Sequence, residues 1–367
     1  MNPTPKISPP TEHFLRRAAE ALRQGQLVGL PTETVYGLAA DGSNSEAVQA
    51  IYRAKGRPSN NPLILHVDTA QKARRLFAEQ WSDVEDHRWR QLSGLWPGPL
   101  TIIGRKHSSV LPEVTAGGDT VAVRIPAHPI ARRLLGLLDF PVAAPSANVS
   151  NYVSPTTAQH VADGFGREVA MVIDGGSCEV GLESTIVTLG TEDESATVLR
   201  AGGITVEVLT AALGEAVLDS DRRIDLREDQ RTETLQAPGQ FSQHYSPRTP
   251  LILVDADRGE PVPDPRSDAP AERREKASIA MPTADGSDAR RILRICFFPP
   301  PRPMSGYAEV WVLSSSKNWR EVAANLYAEL RRADREGFDR IEIDRCEANG
   351  IGRAIADRLS RASRHTS

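Results

Sequence analysis

The chain has 367 residues, a formal net charge of −4 and a hydrophobic fraction of 40%. That length leaves room for two domains, and the acidic balance lacks the global basic signature of a nucleic-acid binder. Three cysteines, Cys178, Cys296 and Cys346, stand far apart without a CxxC, which argues against a disulfide scaffold or cysteine zinc site and fits a reducing cytoplasm.

No apolar run approaches about 18 residues, so no membrane span is expected. MNPTPKISPP has no apolar h-region and does not read as a secretory signal; its prolines predict a disordered N-terminus over residues 1–10. Phe14, Leu15, Ala18, Ala19 and Leu22 share one face of a helix over 11–24. Leu27–Leu30 reads as a buried strand, and Pro31 and Gly37 bracket a polar turn holding Thr32, Glu33, Thr34 and Tyr36. Ser45 is the expected N-cap of a helix that runs into Lys55-Gly56-Arg57-Pro58. The turn Ser59-Asn60-Asn61 then leads to the strand Leu63–Val67, which holds His66.

Helices are predicted over 69–80 and 83–93, and WPGP makes a rigid turn into the strand Leu100–Ile103. A glycine turn precedes Thr120 and the strand Val121–Val123, which ends in Arg124. A helix over 129–138 and a short strand Pro141–Ala144 lead to Pro145-Ser146-Ala147-Asn148. Ser154 and Pro155 read as the N-cap and N1 of the next helix. Strands at Val169–Ile173, around Ser184–Val187 and at Thr197–Leu199 follow, the last ending in Arg200 and a glycine turn. A helix over 205–213 closes a first domain spanning 11–213.

Residues 214–247 read as a linker, interrupted by a distinct segment, APGQFSQHYSP, that carries His244 and Tyr245. The second domain spans 248–367, with a disordered insertion over 256–290. Its strands (251–254, 292–298, 309–313, 339–343) and helices (318–335, 351–362) predict a small parallel, Rossmann-like α/β unit without GxGxxG, so no dinucleotide is inferred there.

Strand ends thus repeatedly deliver small hydroxyls, glycine turns and single basic residues. Each feature also has a structural reading. Lys55 and Arg57 could be a solvated helix C-terminus, Arg124 an ion pair, Ser154 a plain cap, and His66 a core histidine. No GxSxG, HExxH or Walker A motif is present, nor a cysteine with an evident histidine partner. Such a set would position and neutralise a phosphorylated substrate rather than attack it, which is most of what phosphoryl or nucleotidyl transfer requires. Mg²⁺ held largely by substrate phosphates is expected.

PTETVYGL, KGRPSNNPL, WPGPLT, VAVRIP, APSAN, SPT, DGG, STIV and LRAGG occur in this order over about 20–205. The ordered set resembles the threonylcarbamoyl-AMP synthase family with its YrdC-like core, and PGQFSQHYSP resembles the linker of its long, two-domain form. The resemblance implies an α/β fold: an N-terminal YrdC-like twisted mixed-sheet domain plus a smaller C-terminal Rossmann-like domain. It implies a cytoplasmic nucleotidyltransferase that makes threonylcarbamoyl-AMP and pyrophosphate from L-threonine, bicarbonate or CO₂, and ATP with Mg²⁺. The product would feed a tRNA threonylcarbamoyl transferase complex, so contact with tRNA would be indirect. The signature KxR…SxN falls on Lys55, Arg57, Ser146 and Asn148. Arg124 would clamp the threonine carboxylate in a pocket lined by Thr34, His66, Ala144 and Ser184. Lys55, Arg57, Asn61, Thr120, Ser146, Ser154 and Arg200 would hold ATP, and His244 or Tyr245 would cover it; no metal ligand is assigned.

Two rival readings share this domain. A protein that grips double-stranded RNA or ribosomal precursors would show salt-dependent binding without ATP turnover. A carbamoyl transfer enzyme of hydrogenase maturation would also carry CxxC pairs and an acylphosphatase module, and neither is in the sequence.

Overall fold

The computed structural model describes residues 5–219, 245–255 and 290–363, which form one sheet of eleven strands and one of four. In chain order the first part runs β1 (Lys6–Ser8), α1 (Glu12–Arg23), β2 (Val28–Leu30), β3 (Gly37–Asp41), α2 (Ser45–Lys55), β4 (Ile64–His66), α3 (Ala70–Arg74) and α4 (Asp83–Ser93). It continues through β5 (Leu100–Arg105), β6 (Thr120–Arg124), α5 (Pro129–Gly136), β7 (Val142–Ala143), α6 (Ala158–Phe165) and β8 (Met171–Ile173). β9 (Thr185–Thr188), β10 (Thr197–Arg200), α7 (Val206–Leu213) and β11 (Leu218–Asp219) complete it. The second part holds β12 (Leu251–Val254), β13 (Ile292–Cys296), β14 (Glu309–Val312), α8 (Trp319–Glu336), β15 (Arg340–Asp344) and α9 (Gly350–Ala362).

The large sheet is mixed, in the order β1-β8-β2-β3-β7-β4-β6-β5-β9-β10-β11. The small one, β12-β15-β13-β14, is parallel throughout. This is the combination of a mixed sheet and a Rossmann-like unit expected from the sequence. α1 starts where Thr11 accepts a hydrogen bond from the Phe14 amide, and it buries Phe14, Leu15, Ala18, Ala19, Ala21 and Leu22. α8 buries Val322, Ala323, Leu326, Tyr327 and Leu330 along one face and ends at Gly337 in the left-handed region.

Local expectations need correction where side chains found other partners. Residues 1–10 are not wholly loose, because Lys6–Ser8 pairs in parallel with Met171–Ile173 as an edge strand too short to show a pattern. β3 was hidden by the polar turn before it; all five of its residues are buried. Asn44, not Ser45, caps α2, and the Ser45 hydroxyl donates instead to Glu113 at 2.6 Å. The helix expected over 69–80 stops at Arg74, since Phe77 leaves it to pack edge-on against Trp81 and Trp89. α6 is capped by Thr157, and Ser154 is not a helix cap: its hydroxyl donates to Glu183 at 2.6 Å. Within the expected linker, Leu218–Asp219 extends the large sheet by pairing with Thr197–Val198. The insertion expected over 256–290 lies outside the described residues except for residue 290.

The two sheets do not stand apart. One apolar cluster joins Val35, Val153, Leu182 and Ala201 of the first part to Tyr245, Leu326, Tyr327 and Leu330 of the second. Gly181, at φ +71°, lies against the backbone of α8, where a Cβ would meet the Ala324 Cα at 2.4 Å. A side chain there would push the helix away. Polar contacts run alongside. The Tyr152 hydroxyl donates to Asp334 at 2.9 Å, Arg331 Nη2 donates to the Val153 carbonyl at 2.6 Å, and Arg353 pairs with Asp219.

Candidate active site

The site is built by strand register. His66 lies beside Arg124 in the parallel β4–β6 pair, and Arg124 faces Thr101 across the antiparallel β5–β6 pair. β9 joins the other side of β5, and Arg200 ends β10 opposite Ile186. Strand ends with polar side chains therefore converge on one rim. The turn between β2 and β3, whose register pairs Leu30 with Gly37, drops Thr32 and Thr34 onto it. The result is a cavity of about 560 Å³, open solvent included.

Thr34, His66, Arg124, Ala144 and Ser184 all line this cavity, as do Arg57, Ser146, Arg200 and Tyr245. Arg124 does not stand alone. Its Nη2 donates to Glu33 Oε1 at 2.5 Å, its Nη1 to Thr34 Oγ1 at 2.8 Å and its Nε to the Gly98 carbonyl at 3.3 Å. Three of the five donors of a guanidinium are thereby committed, and the fork is fixed in orientation. Burial would raise the Glu33 carboxyl, but the charge and hydrogen bond of Arg124 outweigh it and hold Glu33 below its ordinary value. The WPGP turn thus supplies more than packing, since its Gly98 carbonyl is one of the anchors of Arg124.

His66 is 3% exposed, and burial, with the Arg124 charge next, brings it down to about 3. It is neutral at ordinary pH. Nδ1 sits 3.2 Å from the Ile64 carbonyl, which can only accept, so with the proton on Nδ1 this contact is a hydrogen bond and Nε2 keeps a lone pair. Ser184 bonds the Thr101 hydroxyl at 2.7 Å, and Arg200 reaches it twice, from Nη2 to its hydroxyl at 3.1 Å and to its carbonyl at 3.0 Å. The LRAGG glycines allow this. A Cβ on Gly202 would meet the Glu183 carbonyl and the Thr185 amide, each at 2.4 Å.

The signature residues divide into lining and support. Arg57 lines the cavity and is held by the Asn61 side chain at 2.5 Å and the Pro62 carbonyl at 2.6 Å; burial lowers it to about 10. Asn61 is outside the lining and serves here as the orienting partner of Arg57. Lys55 is 1% exposed, and its ammonium donates to the Ser146 carbonyl at 2.5 Å and to the Asn148 carbonyl. Burial first, then Arg57 and Arg331, pulls it well below its usual value. Lys55 and Asn148 are also outside the lining; Lys55 ties down the loop that presents Ser146, while Asn148 Nδ2 closes that loop on the Val149 and Tyr152 carbonyls. Thr120 is not brought in, because it is exposed at the start of β6, four residues from Arg124 at the other end. Ser154 lies behind the wall on Glu183. Tyr245 lines the cavity, and His244 is outside the described residues.

Two acidic residues were not singled out from the sequence. Glu33 is the counter-charge of Arg124. Glu183 lines the cavity and accepts from Ser154, Arg358 and Tyr327. Both lie inside recognisable motifs, PTETVYGL and GLESTIV, but nothing local distinguishes a buried glutamate from a solvated one there. Among the described residues no group of three or more His, Cys, Asp or Glu is poised for a metal ion. No helix among them is long and apolar enough to cross a membrane.

The geometry offers a fixed cationic fork beside a neutral histidine and hydroxyls, and a second pair of arginines further along. Several known proteins resemble the whole chain. The Sua5–YciO–YrdC profile, described as telomere recombination, matches residues 20–202. A profile described as threonylcarbamoyl-AMP synthase, C-terminal domain, matches 204–364. The threonylcarbamoyl-AMP synthase of Pyrococcus abyssi is 37% identical over 96% of this chain and 94% of its own length. That of Bacillus subtilis is 35% identical over 95% and 92%. The crystal structure of P. abyssi Sua5 complexed with L-threonine superposes with a TM-score of 0.77 at 34% identity, covering 99% of this chain and 98% of that one.

Proposed function

Since the chain belongs to the threonylcarbamoyl-AMP synthase family, we propose that its cavity joins L-threonine, CO₂ or bicarbonate, and ATP to give threonylcarbamoyl-AMP and pyrophosphate. The observation that carries this reading is the pairing of two cationic stations in one cavity: Arg124 with Thr34 and His66, and Arg57 with Ser146 and Arg200. Arg124 takes the threonine carboxylate, its fork already oriented by Glu33 and Gly98. The Nε2 lone pair of neutral His66 accepts from the ammonium or hydroxyl of threonine. The threonine ammonium releases two protons to solvent as its nitrogen bonds to CO₂ and becomes a carbamate, and a carbamate oxygen then attacks the α-phosphorus. The bond to the β-phosphate oxygen breaks, and pyrophosphate leaves with the electron pair. Arg57 and Arg200 balance the phosphate charge, Ser146 binds beside them, and Tyr245 excludes water from a hydrolysable product.

No protein nucleophile enters this scheme. Mg²⁺ would arrive with the nucleotide; Glu183, which lines the cavity, and Glu33 behind Arg124 are engaged by Arg358 and Arg124 and do not fit as its ligands. We further propose that the product serves a tRNA-modifying transferase. The test is chromatography of reactions containing ATP, labelled bicarbonate and each amino acid in turn. A labelled adenylate and pyrophosphate with threonine alone is expected. No product with any amino acid from folded protein and Mg²⁺ would overturn the reading.

A further inference from the structure

Glu183 is 5% exposed and stands where the two parts of the chain meet. Its Oε2 accepts from Arg358 Nε of α9 at 2.9 Å and from the Tyr327 hydroxyl of α8 at 3.1 Å, and its Oε1 accepts from Ser154 at 2.6 Å. Arg358 is itself 1% exposed, spends Nη2 on the Ala201 carbonyl at 2.8 Å and gives Nη1 to Asp357 at 2.5 Å, a carboxylate that Arg361 also holds at 2.7 Å and that therefore keeps a counter-charge when Arg358 is replaced. Burial pushes the Glu183 carboxyl up, but Arg358 first, then Arg200 and the Ser154 hydrogen bond, bring it down to about 2. Arg200 therefore lies within electrostatic reach of Glu183, yet its hydrogen bonds to Ser184 run along the cavity wall. Tyr245, which also lines the cavity, stacks on Tyr327 with centroids 5.8 Å apart and lies under the Arg358 guanidinium at 5.0 Å.

We propose that Arg358 is a positioning residue for the nucleotide side of the cavity: by neutralising Glu183 it leaves Arg200 on Ser184 and keeps an uncompensated carboxylate away from the ATP phosphates. The C-terminal unit thereby contributes to the site through charge, although Arg358 itself is not among the residues lining the cavity. Without Arg358, Glu183 would draw Arg200 off Ser184 and repel the triphosphate. This inference rests on the nucleotide assignment made above.

The experiment measures ATP and threonine dissociation constants for the full chain by calorimetry, with adenylate synthesis assayed in parallel, for Arg358→Met, Glu183→Gln and the double variant. R358M is expected to weaken ATP binding about 10- to 100-fold, the scale of one buried unbalanced charge a few ångströms from the ligand, and threonine binding far less. The double variant, with the charge removed on both sides, should recover most of that loss, and E183Q alone should lose less than about threefold. Unchanged ATP binding in R358M, or a double variant as impaired as R358M, would overturn the inference. If R358M does not fold, E183Q decides: a loss beyond about tenfold would make the carboxylate itself a binding group and refute the charge account. A wild-type chain that binds ATP but makes no threonine-dependent adenylate would sink the proposed function and leave this inference standing; one that binds no ATP would sink both.

Discussion

Two buried arginines face carboxylates, one in each sheet, and they do different things. Arg124 pairs with Glu33 at 2.5 Å at the end of β6, with a cavity alongside. Arg294, wholly buried in β13, pairs with Asp344 and donates to the Ile295 carbonyl at 2.8 Å, while Asp344 Oδ2 also accepts the Phe297 amide at 2.6 Å. The local chemistry is nearly the same. The difference is what lies beside the pair: at Arg294 the neighbouring groups are the protein's own backbone, and at Arg124 one side opens to a cavity. Buried charge pairs therefore mark a binding site only where space adjoins them.

The comparison can be broken first at Arg294. Arg294→Met leaves Asp344 buried without a counter-charge and should cost about 3–5 kcal/mol of stability. Threonine affinity of the folded fraction should be unchanged. Denaturant unfolding and calorimetry check both halves, and a lost threonine site with normal stability would reverse the roles assigned to the two arginines. Arg124→Ala should remove about 2–5 kcal/mol of threonine binding, read as a rise in threonine KM. A KM within twofold of wild type would take Arg124 out of the site.

The pH dependence sharpens the contrast. His66 and His160 are brought down by burial to about 3 and about 4, so between those values and 6.5 the unfolded chain binds more protons than the folded one. Stability is then fully present above pH 6.5 and falls with pH below it, by about 1.4 kcal/mol per unit for each histidine. Glu33 and Glu183, held below 4.5, contribute losses only below that pH, so the slope between 6.5 and 4.5 belongs to the histidines. His128 adds in the same sense. His66→Gln should flatten the slope markedly; an unchanged slope would mean that His66 titrates normally. Residues 245–363 contain no histidine, although Arg331 and Arg335 of α8 add to the lowering at His160 after burial. The smallest effect is expected at Tyr36, whose hydroxyl donates to the Gly176 carbonyl at 2.8 Å and accepts from the Gly175 amide at 3.0 Å. Tyr36→Phe should lower stability by about 1–2 kcal/mol, and a shift in urea midpoint exceeding that of Arg294→Met would upset the ranking.

Much of this was legible in the sequence because periodicity and turn chemistry report burial. The amphipathic α1 and α8, the parallel C-terminal unit, the placing of His66 on a strand and the strand-end positions of Arg124 and Arg200 all follow from such patterns. What stayed hidden depended on partners distant in the chain. Ser154 looks like a cap until Glu183 is placed beside it 29 residues on, and nothing near Lys55 in the sequence announces that its ammonium donates to the Ser146 and Asn148 carbonyls. β1 and β11 exist only because β8 and β10 offer them an edge. Thr120 stands apart from Arg124 for a geometric reason, since a strand of five residues separates its two ends by more than ten ångströms, about 3.3 Å per residue.

The apolar cluster shared by Val35, Leu182 and the α8 residues Leu326 and Leu330 has a consequence for motion. Val35 belongs to the turn that presents Thr34, and Leu182 to the loop that presents Ser184. These segments are anchored on α8, so exchange of their amides is expected to require opening of the C-terminal unit rather than a local fluctuation. The cavity and the parallel sheet are then expected to open as one unit, and a protease that waits for either to breathe should meet both at once.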